Sequence, residues 1–140
     1  ASDVYKRQAF TLSLNHRETY TGITDRDRAL TTRRFGELAG EVYELSSSEA
    51  MEALGKEFRT PGHIPLCRES PGGLSKRQGH TELAVAIARL SGNIPCTIGA
   101  EMLDPDGDGA LSLQEARKYA EEHGIPMITG NDIMESMDMV

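Results

Sequence analysis

The sequence predicts a mixed α+β domain in which strands alternate with helices, and three observations predict it. Runs that alternate apolar and polar residues interleave with segments of helical period. Clusters of Gly, Pro, Asn and Ser separate those runs, and no repeat or low-complexity tract interrupts them. At 140 residues the chain has the size of one domain, so one core and no second globular unit are expected. Apolar residues make up 38% and aromatics 5%, with no Trp, which implies a modest core of Leu, Ile, Ala and Met.

Residues 1–8 show no clear period and read as a ragged end. Phe10 to Leu14 alternates as a half-buried strand does, and Thr21-Gly22 marks a turn. Thr24 or Asp25 caps a helix that runs through Leu38, with Gly40 near its stop. Ser46 to Ser48 precedes a second helical segment, Glu49 to Phe58. Thr60-Pro61-Gly62 breaks it, Ile64 to Cys67 reads as extended, and Pro71-Gly72-Gly73 is a further break. Thr81 is the expected N-cap of a helix over Glu82 to Leu90, with Leu83, Ala84, Ile87 and Leu90 as its apolar face. Ser91-Gly92-Asn93 ends it. Ile94 to Leu103 reads as a buried strand, and 104–109 as an aspartate-rich turn. A helix over Leu113 to His123 is stopped by Gly124. Ile125 to Thr129 reads as a last strand, before a short helix from Asn131 or Asp132.

Charge and patterning exclude several classes of function. Fifteen Lys and Arg against 22 Asp and Glu leave a formal charge of −7. That balance argues against a broad nucleic-acid or anionic-membrane surface, which needs clustered cations, while allowing one small anion pocket. No apolar run approaches the roughly 20 residues that cross a bilayer, and no signal-peptide pattern opens the chain. Cys67 and Cys96 sit in apolar contexts, are not spaced as metal ligands, and read as buried small hydrophobes. A disulfide between them stays open. A soluble, intracellular protein is the expectation.

Four polar features carry possible chemistry. Ser75-Lys-Arg-Gln-Gly-His-Thr-Glu82 places a cation, a glycine, an imidazole and a hydroxyl just before a helix, whose first N–H groups favour an anion. There Arg77 can fork onto phosphate oxygens, Gly79 permits close approach, Thr81 adds a hydroxyl, and His80 can take a divalent metal. An ordinary capped loop is the bland alternative. In Arg59-Thr-Pro-Gly-His63 a bent segment presents His63, a side chain suited to proton exchange but equally at home as polar surface. Glu101 stands alone in an apolar run. Buried it would be a general base, and facing water it would be inert. Asp104, Asp106, Asp108 and Glu115 have calcium-loop spacing with Gly109 nearby, yet no incoming helix precedes them, and Ser112-x-x-Glu115 also reads as a capping box.

Taken together, five runs resemble one family. Thr21-Gly-Ile-Thr-Asp-Arg-Asp-Arg28, Phe58-Arg-Thr-Pro-Gly-His63, Gly72-Gly-Leu74, Arg77-Gln-Gly-His-Thr-Glu82 and Gly99-Ala-Glu101 are similar, in order and spacing, to 3,4-dihydroxy-2-butanone 4-phosphate synthase, and more to its archaeal branch. The resemblance implies a cytoplasmic lyase of riboflavin biosynthesis. It would convert D-ribulose 5-phosphate to 3,4-dihydroxy-2-butanone 4-phosphate and formate with Mg²⁺ or Mn²⁺, as a homodimer, with no nucleic-acid or membrane partner. It implies His63 and Glu101 as catalytic residues and His80 as metal ligand. Arg77, Gln78, Gly79, His80, Thr81 and Glu101 fall in its substrate segments, with Thr21, Asp27 and Arg28 in a further motif. Family members carry an N-terminal acidic loop that supplies a metal-binding glutamate. No such run precedes Phe10, so residues 1–9 are expected to be an unrelated or disordered leader and residues 10–140 the C-terminal portion of an N-terminally truncated synthase domain. Two alternatives accompany that reading: a catalytically incompetent fragment of the enzyme, and a calcium-binding module using residues 104–115.

Overall fold

The structure, a computed structural model, describes residues 9–138. The expected leader therefore lies, but for its last residue, outside the described residues. The element order is β1 (Ala9–His16), α1 (Asp25–Glu41), α2 (Ser47–Glu57), β2 (Phe58–Arg68), a 3₁₀ turn (Gly73–Ser75), α3 (His80–Leu90), α4 (Leu113–His123) and α5 (Gly130–Ser136). Helices and strands are both present, as an α+β chain requires. The described residues divide into two compact units, the first ending at Thr97 and the second beginning at Ile98.

In the first unit β1 and β2 form an antiparallel two-stranded sheet. Leu14, Leu38 and Phe58 make its buried centre, with Phe35, Val42, Ala53, Leu54 and Leu66 packed against them. Phe58 meets His16 and Phe35 edge-on, with ring centroids 5.4 and 5.9 Å away. The alternation of β1 buries Leu14 but leaves Phe10 and Leu12 exposed. Thr24 caps α1 by accepting from the Asp27 amide, and Ser46 forms a capping box with Glu49 at the start of α2. The start of α1 agrees with the sequence, whereas α2 begins at Ser47, two residues before the expected Glu49, and ends at Glu57, with Phe58 already in β2.

The expected break at Thr60-Pro61-Gly62 lies inside β2 instead. Leu14 pairs with Ile64 and the next residue, Asn15, with Arg59, so Thr60, Pro61, Gly62 and His63 bulge out between them. The Thr60–Pro61 peptide is cis. Gly62 is required by close approach: a Cβ there would lie 1.9 Å from the Leu14 carbonyl carbon and 2.3 Å from the Asn15 nitrogen.

Helix α3 corrects two expectations. It begins one residue before Thr81, and Gly79 is its N-cap, with no side-chain cap. Its buried residues are Glu82, Val85, Ala86 and Ala88, whereas Ile87 and Leu90 are exposed. The rotation follows from Glu82, whose carboxylate accepts from the Ser70 amide at 3.0 Å and pairs with Arg77, drawing that face inward beside buried Leu74.

The stretch 94–103 is not a strand. Pro95 has no N–H, the Cys96 amide turns back to the Ile94 carbonyl at 2.7 Å, and the one pairing is an isolated bridge, Leu103 to Ala110. Residues 125–129 likewise lack strand structure and lead into α5, which Thr129 and Asp132 cap reciprocally. An apolar, β-branched run becomes a strand only where a neighbour takes up its backbone groups. The cysteines also differ from expectation: Cys67 is exposed, and Cys96 is half-buried, with its thiol pKa pushed up by burial. Among the described residues no helix is long and apolar enough to cross a membrane.

Candidate functional site

Three local groupings hold most of the sequence-predicted residues, and all lie in the first unit. The β2 bulge presents His63, which is exposed. Its partner is Asn15 of β1, a buried residue with no place in the sequence-based site. The Asn15 Oδ1 accepts the His63 backbone N–H at 2.9 Å, and its Nδ2 lies 3.2 Å from the His63 Nδ1.

The second grouping is the turn before α1. The buried Asp27 carboxylate accepts from the amides of Gly22 at 2.7 Å and Thr21 at 3.0 Å, and from the Thr21 hydroxyl. These bonds, the Gly22 amide foremost, hold its pKa below the ordinary carboxylate value. Asp27 thus shapes the Thr21-Gly22 turn, whose glycine has φ 82°. Arg28 is exposed and pairs with Asp25. Thr21 and Asp27 line a shallow hollow with Tyr20, Arg26 and Arg33.

The third grouping is the start of α3. Arg77 pairs with fully buried Glu82, and its guanidinium lies against Gly79, where a Cβ would fall 2.0 Å from it. Gln78 and His80 are exposed, His80 as the first helical residue. The Thr81 hydroxyl is buried and has no hydrogen-bond partner, the one such side-chain atom among the described residues. An unsatisfied buried hydroxyl is costly, and beside the unpaired amides of a helix start it is placed to meet an anion.

Glu101 belongs to the second unit, where it is exposed and in no regular element. The burial that would make it a base on its own is therefore absent from its surroundings in that unit. The aspartate-rich turn is closed by the Asp104 amide on the Gly109 carbonyl at 2.9 Å and by the Asp106 amide on the Asp104 carboxylate at 3.0 Å. No helix enters it, and the Glu115 amide is capped by Ser112 at the start of α4, so the EF-hand context is missing. Among the described residues no group of three or more His, Cys, Asp or Glu side chains is arranged to hold a metal ion. His80 by itself is one ligand and not a metal centre.

Residues 2–136 match the family model for 3,4-dihydroxy-2-butanone 4-phosphate synthase. The enzyme of that name from Methanosarcina mazei is 45% identical over 128 residues, and the one from Archaeoglobus fulgidus 46% over 129; they cover 91% and 92% of this chain. The chain spans about half the length of these curated relatives, 50% and 52%. The riboflavin biosynthesis protein RibBA of Staphylococcus aureus is 38% identical over 135 residues, 30% of its own length. Among solved structures, the Candida albicans synthase superposes with a TM-score of 0.72 at 32% identity, covering 93% of this chain and 60% of that one. A synthase in complex with two magnesium ions superposes at 0.69 with 28% identity, covering 95% and 61%.

Proposed function

Because this chain belongs to the 3,4-dihydroxy-2-butanone 4-phosphate synthase family, we propose that it carries the substrate-docking part of a riboflavin-biosynthesis lyase acting on D-ribulose 5-phosphate. The observation that carries this reading is the uncapped start of α3 with its unsatisfied Thr81 hydroxyl. A phosphate there would accept from that hydroxyl and from the first amides of the helix. Arg77, fixed against Gly79 by its ion pair with Glu82, adds positive charge beside it. Gln78 and His80 flank the same position.

The reaction converts the ketose phosphate to 3,4-dihydroxy-2-butanone 4-phosphate and formate through enolisation, dehydration, a skeletal shift and loss of one carbon. In our reading Glu101 moves the substrate protons and His63 assists at an oxygen of the substrate. His80 supplies one ligand to a divalent ion, Mg²⁺ or Mn²⁺. The ligand set is incomplete among the described residues. The whole enzyme works as a cytoplasmic homodimer, with Thr21, Asp27 and Arg28 near the substrate.

A second reading is supported by the length of the match. A chain spanning half of its relatives can keep the docking residues and lack turnover. Formate release from ribulose 5-phosphate with Mg²⁺ separates the two. A competent chain releases formate, and Glu101→Gln lowers the rate by about 10²-fold or more. Saturable sugar-phosphate binding without formate supports the incompetent fragment. Formate release that Glu101→Gln leaves unchanged removes Glu101 from its role.

A further inference from the structure

The bulge in β2 leaves His63 exposed, yet its ring is not left to choose its own protonation. The His63 backbone N–H is an obligatory donor, and it donates to Asn15 Oδ1 at 2.9 Å. That bond decides which way round the Asn15 amide lies. Its NH₂ group, which can only donate, is thereby turned to the ring Nδ1 at 3.2 Å. Nδ1 must accept, so the single proton of the neutral imidazole resides on Nε2. Asn15 cannot easily turn away, since it is only 4% exposed. The Gly22 backbone lies so close that a Cβ there would fall 2.1 Å from the Asn15 Nδ2. Gly22 is in turn tied to the Asp27 carboxylate at 2.7 Å.

We propose that Asn15 is a positioning residue: its amide holds neutral His63 in the Nε2–H tautomer, so that the bulge offers the substrate a proton donor and not a base. The inference deepens the lyase reading and rests on it for the substrate. In that reaction a donor N–H at the sugar carbonyl oxygen stabilises the negative charge that develops when a proton leaves the neighbouring carbon. Base work then falls to another group. Gly22, held by Asp27, forms the wall that keeps the amide in place.

Long-range ¹H–¹⁵N correlation of the imidazoles tests it, on the whole chain labelled at histidine and held at about pH 9, well above the reference imidazole value of about 6.5. His63→Gln assigns the His63 signals. The expected wild-type pattern has Nε2 protonated and Nδ1 bare. Asn15→Asp keeps an acceptor for the backbone N–H but puts an acceptor opposite Nδ1, so the proton moves to Nδ1. Asn15→Ala, which removes both bonds, raises the Nδ1–H share without inverting the pattern. A merely structural role would leave the tautomer of any folded variant unmoved. Wild-type His63 protonated on Nδ1, or a folded Asn15 variant with the wild-type pattern, overturns the proposal. The formate assay fails independently: a correct tautomer pattern in a chain that neither binds nor cleaves ribulose 5-phosphate rejects the lyase reading and leaves the Asn15–His63 assignment standing.

Discussion

Replacing Glu82 with alanine is expected to destabilise the chain by about 3–5 kcal/mol, the range for removing one partner of a buried ion pair. The carboxylate has no exposed surface. It accepts the Ser70 amide at 3.0 Å and pairs with Arg77, whose own side chain is 12% exposed. Alanine would leave a cavity, an unsatisfied amide and a guanidinium without its carboxylate, all beside the α3 start. Set against a typical total of roughly 5–15 kcal/mol, the loss approaches unfolding. Urea denaturation measures it, and a change below about 1 kcal/mol would show that the pair contributes little. The same group dictates a pH dependence. Burial pushes the Glu82 pKa up, but the Ser70 and Arg77 hydrogen bonds outweigh it, and the folded value lies below the ordinary 4.5. The unfolded chain then binds the proton more readily. Its contribution is fully present above pH 4.5 and is lost as pH falls through the lower folded value. Glu82→Gln should flatten that acid limb.

Gly62→Ala is the second large effect, expected at about 3 kcal/mol. The added Cβ meets backbone atoms of Leu14 and Asn15 at 1.9 to 2.3 Å, and backbone cannot rotate aside as a side-chain end can. The bulge must open, which separates His63 from Asn15. Gly36→Ala is the matched control. Gly36 lies within α1, and nothing stands inside 4 Å of the place its new methyl would take, so alanine there should stabilise by about 0.5–1 kcal/mol. Thermal melts of the two variants moving in the same direction would contradict the bulge geometry.

Much of the local structure was legible because it is written in neighbouring residues. Thr24 and Ser112 cap the helices the sequence assigns to them, and Gly124 ends α4 with φ 63°. These are short-range hydrogen bonds, and residue type nearly determines them. The misread segments depend on distant partners. Residues 94–103 and 125–129 have strand composition, but no neighbouring strand supplies their hydrogen bonds among the described residues. Apolar spacing does not give the buried face of α3 because it ignores Glu82, a charged residue drawn inside by Arg77 and Ser70. At the candidate site, the Pro-Gly turn announced a bent presentation of His63. Asn15 left no signal, since it lies 48 residues away and meets His63 only through the strand register. By sequence Thr81 is a cap, whereas its hydroxyl is unsatisfied, a difference visible only in three dimensions.

In the proposed function the start of α3 receives the substrate's phosphate. Titration of the ¹⁵N-labelled chain with ribulose 5-phosphate, followed at the amides of Gly79, His80 and Thr81, tests this. Saturable shifts at those amides are expected. Because the Thr81 hydroxyl is buried and has no partner within the described residues, Thr81→Val should leave folding stability unchanged or raise it by up to about 1–3 kcal/mol while weakening this binding. Amides at the α3 start that stay still as the sugar phosphate is added, or that respond equally to ribulose without its phosphate, would contradict it.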